Sequence, residues 1–259
     1  MTTDPASRPV GFAERMLRDD RLVALGGVAL ISLLSWGYLL AGAGMTMPPE
    51  RVTWTPGYAL VMFVMWWVMM IAMMVPGATP MILMFAMINR HRREGGGKAI
   101  NVAFFLSGYA LAWGAFSLMA TAVQYAFDRS GLLSPMMATT DLLFGAAILA
   151  IAGVWQLTPL KEVCLRHCRS PMAFITNSWR EGRLGALAMG VHHGAYCLGC
   201  CWFLMGLLFV GGIMNLYWIA GLAIFVLLEK IVPMGEALAR LTGWMLVAWA
   251  VGLVVLTAT

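Results

Sequence analysis

The metal-binding residue types of the chain concentrate in residues 191–202, which read VHHGAYCLGCCW. This stretch holds two of the four histidines and three of the five cysteines. Imidazole and thiolate groups bind soft and borderline metal ions, Cu(I) among them. In a helix, His193, Cys197 and Cys201 lie on one face, because residues four apart stand one above the other. The predicted metal ligands of this stretch are His192, His193, Cys197, Cys200 and Cys201.

The segment around these ligands is apolar, so their presence needs a reason. Hydrocarbon offers polar groups no water, and burying such groups without partners is costly. Packing is the alternative interpretation, since a free cysteine behaves as a small hydrophobe. Five cysteines without a regular pairing pattern do not describe a disulfide scaffold. We therefore interpret them as ligands or as free thiols.

Two further functions are compatible with the same residues. Cys197 and Cys200 form a Cys-x-x-Cys pair, which would suit a membrane thiol-disulfide oxidoreductase that exchanges electrons with quinone or a periplasmic protein. A disulfide between the adjacent Cys200 and Cys201 would be strained, which weighs against this function. His192 or His193 with a methionine would ligate haem iron in a non-catalytic subunit of a larger membrane complex. Haem therefore stays open as a cofactor.

A second cluster, CLRHC, contains Cys164, His167 and Cys168. One helical turn would present all three side chains together, because they stand at positions i, i+3 and i+4. A closed structural zinc site usually has four protein ligands, one more than this cluster supplies. A second metal site used for loading, a redox pair of thiols and an incidental grouping are all compatible with the pattern.

Methionines form a third group, in the stretch MFVMWWVMMIAMMVP. Met65, Met69 and Met73 are four apart and lie on one helical face, while Met70 and Met74 form an adjoining ridge. Methionine is a pliable filler of protein cores, and this explains many such stripes. Its thioether sulfur is also a ligand suited to Cu(I). We predict the face with Met65, Met69 and Met73 as a thioether track for the ion.

The composition identifies the class of protein. The chain of 259 residues is 61% hydrophobic and 11% charged, with a mean hydropathy of +0.81. These values are those of an integral membrane protein with the lipid bilayer as its partner. The net charge of +5 comes from short basic runs between apolar spans, which indicates membrane topology rather than a nucleic-acid partner.

The sequence predicts an all-α, polytopic membrane helix bundle. A spanning helix needs roughly 20 mostly apolar residues, and about seven stretches qualify. They cover about 22–44, 57–80, 100–127, 139–158, 184–210, 213–229 and 236–257. We divide the chain into a cytoplasmic tail, residues 1–21, and a single transmembrane domain, residues 22–259, with a cytoplasmic loop at 159–183.

Basic residues predict the orientation. The segments between the spans lie alternately on the two sides of the membrane, and those on the side of the N-terminus carry 15 Lys and Arg residues against 2 on the other side. The positive-inside rule therefore puts the N-terminus in the cytoplasm and the C-terminus in the periplasm. Met45 and Met47 then lie outside, where they are candidates for capturing the ion. With about 1.5 Å of rise per residue, Met69 and Cys197 share a depth near the membrane midplane. We therefore expect the second and fifth spans to build one site.

Local signals add four expectations. Pro76 and Pro80 remove two backbone donors, so the second span should kink or break there. Gly190 and Gly194 form a G-x-x-x-G that lets a neighbouring backbone approach closely. Asp141 and Asn215 stand at expected helix starts. The neighbours Glu229 and Lys230 are expected to form an ion pair at the membrane interface.

The motifs together resemble a known family. The stretch HHGxxCxGCCW, the MWWxMMxAMMxP run, the MNL tripeptide at residues 214–216 and the Glu229–Lys230 pair are similar to those of a bacterial family of predicted metal-binding integral membrane proteins. The similarity covers residues 57–257. It implies a multi-span protein of the bacterial inner membrane, with a metal site on the histidines and cysteines of HHGxxCxGCCW.

These observations lead to one expected function. We expect a membrane protein that binds a soft transition metal, most simply copper as Cu(I), for transport, delivery or cofactor assembly. Binding rather than catalysis is expected, and no catalytic residues are assigned. The expected partner is a periplasmic metal carrier or a larger membrane complex.

Overall fold

The computed structural model describes residues 20–42, 53–94 and 102–258. In these ranges the chain is helical and contains no β-strand, apart from one isolated bridge between Leu133 and Thr139. The all-α class is thereby confirmed. The helices are α1 (Asp20–Leu40), α2 (Pro56–Glu94), α3 (Val102–Arg129), α4 (Leu142–Gln156), α5 (Pro159–Arg169), α6 (Pro171–Ser178), α7 (Gly182–Gly206), α8 (Leu208–Gly211), α9 (Leu216–Ile231) and α10 (Gly235–Ala258).

Five of the described helices are long and apolar enough to cross a membrane. They cover Arg21–Leu40, Pro56–Arg92, Val102–Arg129, Gly182–Gly211 and Gly235–Thr257. The predicted count of seven is not confirmed, because α4 has 15 residues and α9 has 16. Helices α4 and α5 meet at an angle of 64° and count as a sixth span if they are one broken helix.

The segment 159–183, expected as a cytoplasmic loop between spans, contains two helices, α5 and α6. Helix α5 begins after Thr158, whose hydroxyl accepts a hydrogen bond from the backbone N–H of Lys161 at 3.3 Å. Pro159 occupies the first turn, where a missing N–H costs nothing, and disfavours helical backbone at the residue before it. This local chemistry explains why α4 ends and α5 starts in a new direction.

Helix α2 is longer than predicted and is not broken at Pro76 and Pro80. It runs without interruption from Pro56 to Glu94, so the expected break is absent. The tyrosine hydroxyl of Tyr109 on α3 donates a hydrogen bond to the carbonyl of Met74 at 3.1 Å, beside the prolines. Helix α2 also packs against α1, α3 and α9. Tertiary packing therefore offsets the local cost of the prolines.

Helices α3 and α7 approach each other through glycines. A Cβ at Gly190 would lie 2.0 Å from the carbonyl oxygen of Phe105, and a Cβ at Gly108 would lie 2.0 Å from that of Leu187. Both positions therefore exclude any side chain. The close approach predicted from the G-x-x-x-G pattern is confirmed, and its neighbour is α3.

Two predicted caps are confirmed. The carboxylate of Asp141 accepts from the N–H of Phe144 at 2.7 Å at the start of α4, and the amide oxygen of Asn215 accepts from the N–H of Trp218 at 3.3 Å at the start of α9. Helix α9 ends before Pro233, which places Glu229 and Lys230 in its last turns. Both of these charged side chains are buried inside the bundle.

Candidate metal site

Three cysteines of α7 are buried at one level of the bundle. Cys197, Cys200 and Cys201 each expose 1% or less of their surface. The thiols of Cys200 and Cys201 donate hydrogen bonds to the carbonyl of Cys197 at 3.1 and 3.0 Å. This is local helix geometry, because side chains three and four residues on lie over the preceding turn. The predicted common placement of these three cysteines is what the structure shows.

Helix α5 brings a fourth thiol to the same place. The side chain of Cys168 lies close to those of Cys197 and Cys200. The helices approach closely because Gly199 has no side chain: a Cβ there would lie 2.7 Å from the Cys164 sulfur. The two cysteine clusters of the sequence therefore meet, which their separation along the chain did not indicate.

Helix α2 supplies a thioether. The sulfur of Met74 lies 3.8 Å from the sulfur of Cys201. We call this set of five residues the sulfur cluster; it consists of Met74, Cys168, Cys197, Cys200 and Cys201. It combines side chains from α2, α5 and α7, and four of the five are buried, with Cys168 partly exposed.

A buried lysine of α9 faces the sulfur cluster. The ammonium group of Lys230 lies 3.0 Å from the sulfur of Cys197 and 3.8 Å from that of Met74. No carboxylate among the described residues forms an ion pair with it. A buried ammonium without a negative partner is costly, so this position favours negative charge on the sulfur cluster.

Glu229, the residue before Lys230, has a different partner. Its carboxylate pairs with the ammonium of Lys161 on α5, at 2.7 and 2.9 Å, and accepts from the side-chain amide of Gln156 at 2.9 Å. The expected ion pair between Glu229 and Lys230 is therefore wrong. Consecutive residues of a helix point in different directions, so the two charges face different neighbours.

Aromatic rings enclose the histidine of the predicted site. His193 is buried, and its ring stacks on Tyr109 at 5.7 Å and on Phe105 at 6.1 Å between centroids. The Tyr109 hydroxyl lies 3.1 Å from the Cys197 sulfur. Among the described residues, the Nδ1 atom of His193 has no hydrogen-bond partner. The imidazole thus stands next to the sulfur cluster with one nitrogen uncommitted.

The predicted methionine face lies in the core, but another methionine contacts the cysteines. Met65, Met69 and Met73 are each at most 2% exposed. Met74, from the adjoining ridge, provides the sulfur contact that the structure shows. Which methionines bind a metal stays a prediction. Met45 and Met47 lie outside the described residues.

Two of the remaining predicted ligands, His167 and His192, are exposed. Both histidines line an open cleft at the surface, so the CLRHC cluster is divided. Its histidine faces the cleft, Cys168 belongs to the sulfur cluster, and Cys164 lies against Gly199. In the ranges that the structure describes, no group of three or more His, Cys, Asp or Glu side chains is arranged as a metal site. Thiols and a thioether are nevertheless the donor types that select Cu(I).

A family model with the description "PpoB2: Copper chaperone" matches residues 63–253, well over half of the chain. No curated protein and no solved structure matches it.

Proposed function

The chain belongs to the PpoB2 copper chaperone family, and from this premise we propose that it carries Cu(I) on the sulfur cluster inside a bundle of membrane-spanning helices. The metal-related family expected from the sequence is confirmed in this broad form, and copper is the metal that its description names. Five long apolar helices are compatible with a membrane location. We propose three further points: the ion is Cu(I), the sulfur cluster binds it, and the site lies within the membrane.

The observation that carries the proposal is the meeting of four thiols and one thioether from three helices. Cys168 reaches Cys197 and Cys200 across the contact between α5 and α7, and Met74 reaches Cys201 from α2. Packing alone gives no reason for five sulfur atoms to converge. Soft sulfur ligands favour Cu(I) over the harder ions of the cell. The set also offers more donors than a bound Cu(I) uses at one time, which suits an ion that must be passed on.

Charge supports the same ion. Two thiolates that bind one Cu(I) leave one net negative charge, which an apolar interior does not tolerate without a counter-charge. The ammonium of Lys230, 3.0 Å from the Cys197 sulfur, supplies that charge. A divalent ion on two thiolates would be neutral and would leave the ammonium unmatched. The pairing of Lys230 with the cysteines therefore suits a monovalent metal.

Protons must leave when the metal binds. Thiols bind metals as thiolates, so loading releases the protons that Cys200 and Cys201 donate to the carbonyl of Cys197. This exchange frees that carbonyl and lets both side chains turn toward the ion. His193 lies beside them with an uncommitted nitrogen, and we propose it as an additional ligand.

The proposal is tested with detergent-purified, reduced protein loaded with Cu(I). We expect bound copper by elemental analysis and sulfur scattering in its X-ray absorption spectrum. The variant Cys197→Ser with Cys200→Ser should lose the sulfur scattering and retain at most weakly bound copper. Cys164→Ser is the matched control, since it removes a thiol of α5 that lies against the Gly199 backbone. Sulfur-bound copper that the double variant retains in the wild-type amount, or wild-type protein that takes up none, would refute the proposal.

A further inference from the structure

A cleft of about 360 Å³ opens at the surface beside the sulfur cluster, between α5, α6 and α7. We call it the imidazole cleft; its lining includes Arg166, His167, Phe174, His192 and Tyr196. Both histidine side chains are exposed there. Neither is part of the sulfur cluster, and the cleft therefore needs an explanation of its own.

The two imidazoles share one neighbour. The ring of His167 stacks on Tyr196 with 4.2 Å between centroids and an angle of 5° between planes, and the ring of His192 lies 5.0 Å from the same tyrosine. The Nδ1 atom of His167 is 2.9 Å from the carbonyl of Val163. A carbonyl can only accept, so Nδ1 carries the proton and Nε2 presents its lone pair. Metal-binding histidines are commonly oriented in this way.

Each cleft histidine is followed along the chain by a residue of the buried site. His167 precedes Cys168, which contacts Cys197 and Cys200, and His192 precedes His193, which stacks on Tyr109. Helices α5 and α7 thus each present one ligand to the surface and the next one to the interior. Phe174 contacts both a surface ligand and a buried one, because its ring lies 5.4 Å from that of His192 and 5.5 Å from that of His193.

We propose that the imidazole cleft is the exchange site through which Cu(I) passes between the sulfur cluster and its donor or acceptor in solution. This inference rests on the proposed function. Two imidazoles bind Cu(I) less tightly than thiolates do, and an open site allows an incoming ligand to displace them. The positive charge of Arg166 does not oppose the ion, since that guanidinium is paired with Glu162 and with Glu236. Cys197, Cys200 and Cys201 are buried, so a carrier in solution needs an accessible first ligand.

The experiment measures the rate at which loaded protein gives up Cu(I) to bathocuproine disulfonate, a chelator in solution. In the variant His167→Ala with His192→Ala, we expect transfer to slow by about tenfold or more, with the amount of bound copper unchanged. His91→Ala is the matched control, because it removes an exposed histidine of α2 and should transfer at the wild-type rate. His167→Gln with His192→Gln repeats the test with side chains that keep polarity and volume.

The outcomes separate the two proposals. Wild-type transfer rates in both double variants would overturn the exchange site and leave the sulfur cluster intact. Loss of bound copper in those variants would also overturn it, since the histidines would then belong to the storage site. If wild-type protein takes up no copper, the proposed function fails by itself.

A second measurement tests Cu(I) binding at the imidazole cleft independently of the sulfur cluster. A variant with serine at Cys168, Cys197, Cys200 and Cys201 should bind Cu(I) weakly, with nitrogen scattering that disappears when the two cleft histidines are replaced. Absence of that signal refutes the exchange site.

Discussion

Two buried lysines lie within the same few helices and have opposite surroundings. Lys161 faces the carboxylate of Glu229 and the amide of Gln156, both within hydrogen-bonding distance. Lys230 faces sulfur atoms and, among the described residues, no carboxylate. Since Glu229 and Lys230 are adjacent in the chain, the simplest arrangement would have paired them with each other. The fold instead gives the carboxylate to Lys161.

We interpret Lys161 as a structural charge and propose Lys230 as a charge that serves copper binding. The Lys161 network is neutral and joins α4, α5 and α9, so it holds α5 where Cys168 meets α7. The ammonium of Lys230 is matched only if the sulfur cluster becomes negative. A neutral network contributes to stability whether or not a metal is bound, whereas the Lys230 contact should matter most when Cu(I) is bound.

The largest effect is expected from Glu229→Gln. This change keeps the shape of the side chain but leaves the Lys161 ammonium buried without a negative charge, which typically costs about 3–5 kcal/mol. The free energy of unfolding of the solubilised protein measures it. Glu236→Gln is the control, because Glu236 forms a solvent-exposed pair with Arg166 and should cause no measurable loss. Equal stability of the two variants would contradict the structural role of the network.

Lys230→Met should affect copper more than stability. Without the ammonium, a copper bis-thiolate would be a buried, uncompensated negative charge, and we expect Cu(I) affinity to fall about 10- to 100-fold, which corresponds to about 1.4–2.8 kcal/mol. Competition with a Cu(I) chelator of known affinity measures the change. Lys230→Arg keeps the charge and should retain most of the affinity. An unchanged affinity in the methionine variant would remove the distinction between the two lysines.

Met74→Leu should weaken Cu(I) binding by only a few fold. The thioether next to Cys201 is lost, while the volume is preserved and the stability cost of such a swap is usually below about 1.5 kcal/mol. Met65→Leu, on the face that the sequence favoured, is the matched control for the same competition measurement. A larger loss of Cu(I) affinity in the Met65 variant would indicate that the face with Met65, Met69 and Met73 supplies the thioether ligand.

The smallest effect is expected from replacing both partners of the structural pair. Lys161→Met with Glu229→Leu removes both charges together, and such replacements of buried ion pairs are often neutral. We expect unfolding close to that of the wild type and an unchanged copper stoichiometry. If this variant is as unstable as Glu229→Gln, the network is held by more than charge neutralisation, with Gln156 as the residue to examine next.

Predictions from local spacing agreed with the structure more often than predictions across the chain. The caps at Asp141 and Asn215, the grouping of the three cysteines of α7 and the close approach at Gly190 all follow from residues near each other in sequence. The continuity of α2 through its prolines does not, because contacts with α3 and α9 offset a local cost. The starts of α4 and α9 were also missed, since the apolar stretches begin about three residues before these helices do, at Leu142 and Leu216.

The sequence by itself determined a helical protein of membrane composition with soft metal ligands, because hydropathy and helical periodicity are properties of short stretches. Only the tertiary structure decided that Cys168 joins Cys197 and Cys200, and that Lys230 faces them while Glu229 turns to Lys161. Those contacts depend on the register between helices. That register is set by close backbone approaches and by buried charges that find their partners far along the chain.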